Sequence, residues 1–275
     1  MSAPLVARPA GSVDPRTSAP GALRWFASRI VTFCVVELQK LRHDRTELAT
    51  RAIQPALWLL IFGKTFSELR AVETEGLPYL DYLAPGVLAQ STLFVAVFYG
   101  IQVIWERDAG VLAKLLVTPT PPSAVVAGKG FAAGVRALVQ VVVVVVLAAL
   151  LGVHLELAPW RLVAAAVVSI VGAAFFATLS MTIAGLVLSR ERVMGIGQAI
   201  TMPLFFASNA LYPTDAMPAW IRWFGTVNPL SYEVDALRGL LVGTDAHLWL
   251  DFAVVGGSLV AGVAVAAAVL PRLVR

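Results

Sequence analysis

Six apolar stretches, at about residues 52–66, 83–104, 131–153, 162–188, 193–211 and 249–270, constrain this chain more than any other feature of it. A helix rises about 1.5 Å per residue, so about 20 apolar residues are needed to cross the hydrocarbon of a bilayer. The stretch at 52–66 is the shortest and qualifies only with part of its flanks. The unbroken valines at 141–146 read as strand in isolation, because Val is a poor helix former in water. The length of apolar sequence around them predicts a membrane helix instead. Composition agrees: 59% of residues are hydrophobic and only 14% charged, against about a quarter charged in a soluble domain. The fold class expected is an all-α polytopic membrane protein with six transmembrane helices and no internal repeat. The single cysteine, Cys34, excludes an intrachain disulfide.

Charge sets the expected orientation. If the amino terminus is cytoplasmic, fifteen Lys and Arg residues face inward: the eight from Arg8 to Arg51, then Arg107, Lys114, Lys129, Arg190, Arg192, Arg272 and Arg275. Only Arg70, Arg161, Arg222 and Arg238 face outward. That bias matches the excess of Lys and Arg in cytoplasmic loops. Both termini are therefore expected in the cytoplasm. Residues 1–21, rich in Pro, Ser, Ala and Arg, lack the apolar core of a secretory signal and read as a disordered tail.

Three segments are not spans. Residues 22–47 place Phe26, Ile30, Phe33, Leu38 and Leu41 along one side of a helix, with Arg24 and Arg29 elsewhere, a basic amphipathic helix suited to the inner interface. The loop after the second stretch opens with Glu106-Arg107-Asp108 and continues with Leu112, Leu115 and Leu116 on one helical face before Pro119, Pro121 and Pro122 stop it. Such a helix can fill a groove on a partner or lie on lipid headgroups. The outer segment from Tyr212 to His247 holds helical pieces too short to span, with Asn228 and Pro229 suited to a cap and first turn. It reads as a pair of short helices dipping back into the outer leaflet; an interfacial aromatic belt with Glu233 and Arg238 solvated is the alternative.

Catalytic and metal-binding patterns fail on inspection. Gly63-Lys64-Thr65 imitates the end of a P-loop, but Trp58 stands where the first glycine belongs. His43, His154 and His247 are scattered, and Ser180, Ser208 and Ser231 lack a nucleophile-elbow frame. No acidic residue falls in the middle of an expected span, whereas gradient-driven carriers commonly place one there.

Two motifs carry a family resemblance. The first is Glu106-Arg107-Asp108-x-Gly110-Val111-Leu112-x-x-Leu115-x-x-Thr118-Pro119, followed by Gly128-Lys129. The second is Pro203-Leu204-Phe205-Phe206-x-Ser208-Asn209-x-Leu211-Tyr212-Pro213, then Met217-Pro218-x-Trp220, Asn228-Pro229-Leu230 and Ala236-Leu237-Arg238-Gly239. Together they resemble the ABC type-2 permeases, the membrane subunits of daunorubicin-resistance, nodulation-factor and polysaccharide exporters. The pattern departs at Asn209 and Ala210, where many relatives have Gly and a branched apolar residue, and at Ala109 and Ala113, commonly polar or acidic.

The resemblance implies an export permease of the bacterial cytoplasmic membrane. The first motif, with Leu116, would be the coupling loop; Phe205, Phe206, Asn209, Leu211, Tyr212, Pro213, Trp220, Pro229, Arg238 and Gly239 would form the outer gate and re-entrant region. It also implies two copies of a cytoplasmic ATP-binding subunit and a second permease chain, identical or related. ATP and Mg belong to that partner, and no cofactor to this chain. Membrane lipid is a further expected partner, and nucleic acid is not. The second and fifth spans are expected to wall the pathway. A secondary carrier, a membrane enzyme and a non-transporting assembly subunit are the rival classes.

Overall fold

The computed structural model describes residues 19–43, 45–69, 74, 76–117 and 120–273. The expected tail therefore lies outside the described residues apart from its last three positions, which open the first helix. Among the described residues the chain is helical and contains no strand. In order come α1 (Ala19–His43), α2 (Arg45–Leu57), a π-helical segment (Trp58–Gly63) and α3 (Lys64–Leu69). Then follow α4 (Tyr79–Asp108), α5 (Val111–Val117), α6 (Pro122–Leu150), α7 (Pro159–Val187) and α8 (Arg190–Phe206). The chain closes with α9 (Ala219–Val227), α10 (Pro229–Leu241) and α11 (Leu248–Val269).

Among the described residues four helices are long and apolar enough to cross a membrane: α4, α6, α7, and α11 with its 3₁₀ extension to Leu273. The first apolar stretch is α2, the π segment and α3 in succession, and the fifth is the 17-residue α8. The valine run is helical inside α6. Its lost solvent-phase propensity is outweighed once the backbone has no water to bond.

Boundaries shift for local reasons. Helix α6 begins at Pro122 rather than near 131. Pro at a first helical position lacks only an N–H that would have been orphaned. Gly128 and Lys129 therefore sit within a helix, not in a loop. The fifth helix stops at Phe206 rather than 211: residues 207–210 turn back so that the Ala210 backbone lies against Gly86 of α4, closer than any Cβ would allow.

Helix α7 is the centre of the bundle and packs against α4, α6, α10 and α11. Its buried face carries Gly172, Ala173, Ala174 and Ala177. Small residues let backbones approach where lipid supplies no hydrophobic drive between helices.

Helix α1 lies along α6. Its inward stripe is Phe26, Ile30, Phe33 and Glu37, spaced four, three and four residues apart. Leu38, expected on that stripe, is 60% exposed, and Glu37 takes its place at 3%. The reason is an ion pair from Glu37 to Arg136 of α6, at 2.5 Å. Leu41 has its side chain outside the described residues. Val31, Val35 and Val36 are also exposed, so α1 shows apolar surface on both sides.

Candidate functional site

The residues of the first motif gather where α4 ends. Glu106 pairs with Lys129 of α6, and the Lys129 ammonium also stands over the Phe33 ring of α1 at 5.8 Å. Gly128 makes that approach possible, because a Cβ there would collide with the Phe33 ring. Arg107 donates to the Leu188 carbonyl at 3.0 Å and to Asp108 at 2.8 Å. Asp108 in turn accepts from Arg190 at 2.6 Å. Four helices, α1, α4, α6 and α8, and the residue ending α7 thus meet in one polar frame.

Helix α5 hangs from this frame. Gly110, with φ +70°, reverses the chain between α4 and α5, a conformation that favours glycine. Leu112 is fully buried and belongs to the chain's own core, so it anchors α5 rather than offering itself to another protein. Leu115 is half-buried, while Val111 and Lys114 are exposed. The Leu116 side chain, and Thr118 and Pro119 altogether, lie outside the described residues.

The second motif assembles at the other end of α4. Asn209 is buried and its amide donates to Asp235; its carbonyl accepts from Tyr82 at 2.9 Å and from Arg238 at 2.8 Å. Arg238 also holds Asp235 at 3.2 Å, and its guanidinium lies 3.9 Å from the Tyr82 ring centre. The Leu211 carbonyl accepts from Tyr79 at 3.2 Å. Pro213 precedes a short 3₁₀ turn, and Gly239 lets Ala246 approach the back of α10.

Aromatic groups cluster beside this. Phe205 is buried and meets Trp58 edge-on at 5.6 Å and Phe206 at 5.4 Å. Phe206 is half exposed, and its carbonyl accepts from the Tyr212 hydroxyl. A cavity of about 210 Å³ is lined by Phe206, Tyr212, Trp220 and Phe224. A larger one, about 270 Å³, lies between Ser91, Phe94 and Phe98 of α4, Thr50 and Gln54 of α2, and Gln140 of α6.

Asn228 caps α10 as expected: its Oδ1 accepts from the Leu230 N–H at 3.1 Å, with Pro229 in the first turn. Its amide also donates to the Leu204 carbonyl at 2.7 Å, tying α10 to α8. Glu233 and Arg238 are both buried, so neither is solvated as the alternative reading of the outer segment expected. Glu233 is the larger surprise. It is fully enclosed, accepts from Thr92 at 3.0 Å, and presses its carboxylate on Gly172. Thr92 and Gly172 each lie about halfway along their helices. Glu233 sits on a 13-residue helix, too short to span, and so falls outside the six apolar stretches. Among the described residues no set of three His, Cys, Asp or Glu side chains could hold a metal ion.

A bundle of apolar helices, with polar frames at both ends of α4, defines a multi-pass membrane protein. The ABC-2 type transporter family matches residues 29–242, and the chain belongs to that family. It is 28% identical over 252 residues to the daunorubicin resistance ABC transporter permease protein DrrB1 of Streptomyces coeruleorubidus, covering 87% of this chain and 88% of that one. It is also 28% identical over 235 residues to nodulation protein J of Rhizobium leguminosarum bv. trifolii, covering 84% and 87%. A putative transport permease, ycf38 of Cyanophora paradoxa, is 27% identical over 212 residues, 73% of this chain and 70% of that one. The chain is a membrane subunit of an ABC transporter.

Proposed function

We propose that this chain is the permease of an ATP-driven exporter, moving an amphipathic drug, lipid or glycan-type substrate out of the cytoplasm, with ATP and Mg used in a separate subunit. The observation that carries the reading is the clamping of α5. A seven-residue helix is anchored by Leu112 and framed by Glu106–Lys129 and Asp108–Arg190, yet exposes Val111 and Lys114. A force on that exposed side reaches the ends of α4, α6 and α8 together, and through Phe33 also α1. The frame end is cytoplasmic in this reading, which agrees with the distribution of Lys and Arg.

Six crossings follow if α2 to α3 and α8 span with their flanks, and residues 22–47 then serve as an interfacial helix. The depth of Glu233 opposite Thr92 supports a re-entrant α10. Two permease chains, each with an ATP-binding subunit, complete the transporter, in a bacterial cytoplasmic membrane. The α4 wall bearing Ser91, Phe94 and Phe98, and the exposed Met194, Met202 and Phe206 of α8, offer mixed polar and apolar surface suited to an amphipathic cargo.

The test is substitution of Leu115 and Leu116 by Asp, with copurification of the ATP-binding subunit as readout. Loss of that subunit from a chain that still elutes as wild type is expected. Undiminished copurification and transport contradict the reading. One observation favours a gradient-driven carrier instead: Glu233 is an enclosed carboxyl at mid-bundle, as proton relays have. Transport that persists without ATP and collapses with the proton gradient would select that reading.

A further inference from the structure

At the end of α4 far from α5, a cavity of about 310 Å³ opens between α10, the turn after α8 and the loop leading into α11. Asp235, Asp245 and Asp251 line it, with Asn209, Arg238 and His247. Among the described residues Arg238 is the only Lys or Arg in the lining, and it is committed to Asp235 and to the Asn209 carbonyl. Among the described residues no Lys or Arg pairs with Asp245 or Asp251, and His247 is the other lining group able to carry positive charge.

Asp251 is 3% exposed and its Oδ2 accepts no hydrogen bond. Asn209 is 6% exposed and its Oδ1 is equally unpartnered. Buried acceptors without donors are costly and call for an explanation. The start of α11 favours a carboxylate in its first turn through the helix dipole. That does not satisfy Oδ2, which has no hydrogen-bond donor among the described residues. A divalent metal is a poor match, since no three candidate ligands converge among the described residues. A group bringing both positive charge and N–H donors suits two free acceptors and a second carboxylate. Leu77, Pro213 and Leu250 add apolar wall for whatever carries that group.

We propose that this cavity binds the protonated amine of an amphipathic cargo. Asp251 and Asn209 accept its N–H donors, and Asp245 adds negative charge at the mouth. The assignment of the cavity to the release side rests on the exporter reading; the binding itself does not.

The test uses the full chain in phosphatidylcholine nanodiscs, without ATP or any partner. Dansylcadaverine is the probe, and its N-acetylated derivative the neutral control. Saturable binding of the amine is expected, at least about tenfold tighter than the acetylated form, the scale of one charge-assisted contact. Asp251→Asn should weaken amine binding by about tenfold and leave the acetylated form unchanged. Asp245→Asn, on an exposed residue that folding tolerates, should weaken it by a smaller factor. Glu191→Gln, at the opposite end of the bundle, should change nothing. Equal binding of amine and acetylated probe, or amine binding indifferent to both Asp variants, overturns the proposal. So does displacement of the probe by NaCl but not by KCl at equal ionic strength, which would make the occupant an inorganic cation. Failure here leaves copurification of an ATP-binding subunit untouched, so the two readings fail separately.

Discussion

Glu233 faces Thr92 across the contact between α10 and α4, its Oε1 accepting the hydroxyl at 3.0 Å while Oε2 accepts nothing. Among the described residues one hydroxyl, itself shared with the Ala89 carbonyl at 2.9 Å, is therefore all that satisfies a fully enclosed carboxyl. Thr92→Val keeps the shape and removes that donor, and should cost about 1–3 kcal/mol of stability. Glu233→Gln supplies its own donor and carries no charge, and should be at least as stable as the wild type. Thermal unfolding in nanodiscs checks both; a Gln variant less stable than the Val variant contradicts the account of this site.

Gly128 seats Phe33, so the docking of α1 on α6 depends on an absent side chain. Gly128→Val should destabilise the chain by about 1–3 kcal/mol through overpacking. Phe33→Ala in the same chain should recover most of that loss, because it vacates the contested volume. A double-mutant cycle of melting temperatures reads the coupling, and additivity between the two changes would show that the contact is incidental.

The Asp108–Arg190 pair is solvent-accessible on both sides. Exposed pairs contribute little to stability. Asp108→Arg should therefore leave the melting temperature unchanged but reduce cargo-stimulated ATP turnover in the assembled transporter. The exchanged pair, Asp108→Arg with Arg190→Asp, should restore turnover. Restoration distinguishes a link between the α4 and α8 ends from a loss of charge alone.

Asn228 joins two elements with one side chain, capping α10 and reaching the Leu204 carbonyl of α8. Asn228→Ala should cost about 1 kcal/mol for the cap and a further ~1 kcal/mol for the bond to α8. Asn228→Asp keeps the cap acceptor and loses only the donor, so it should fall between the two. Unfolding midpoints of the three chains test that order.

The four long helices were legible because apolar length specifies them, and the cap at Asn228 because its chemistry is local. What escaped was set by partners distant in sequence. Glu37 displaced Leu38 from the inner stripe of α1 because Arg136 lies across from it, about a hundred residues later. Leu112 looked like docking surface because spacing describes a helix face but not what covers it. Asp108 stood in the motif without a role until Arg190 came beside it. Asp251 stands near the start of the last apolar stretch, and only the neighbouring loop reveals it as enclosed. In each case the sequence carried the residue, and the long-range contact carried its meaning.

The account turns on α5 being gripped by an ATP-binding subunit. Lys114 projects from its exposed side, and Cys34 can be replaced so that a single cysteine remains. The direct measurement is photocrosslinking from Lys114→Cys in native membranes of a Cys34→Ser chain. The account predicts a crosslink to a subunit carrying Walker motifs, formed only from the cytoplasmic face. Labelling of that cysteine by an impermeant reagent from outside the cell, with no such crosslink, would contradict it.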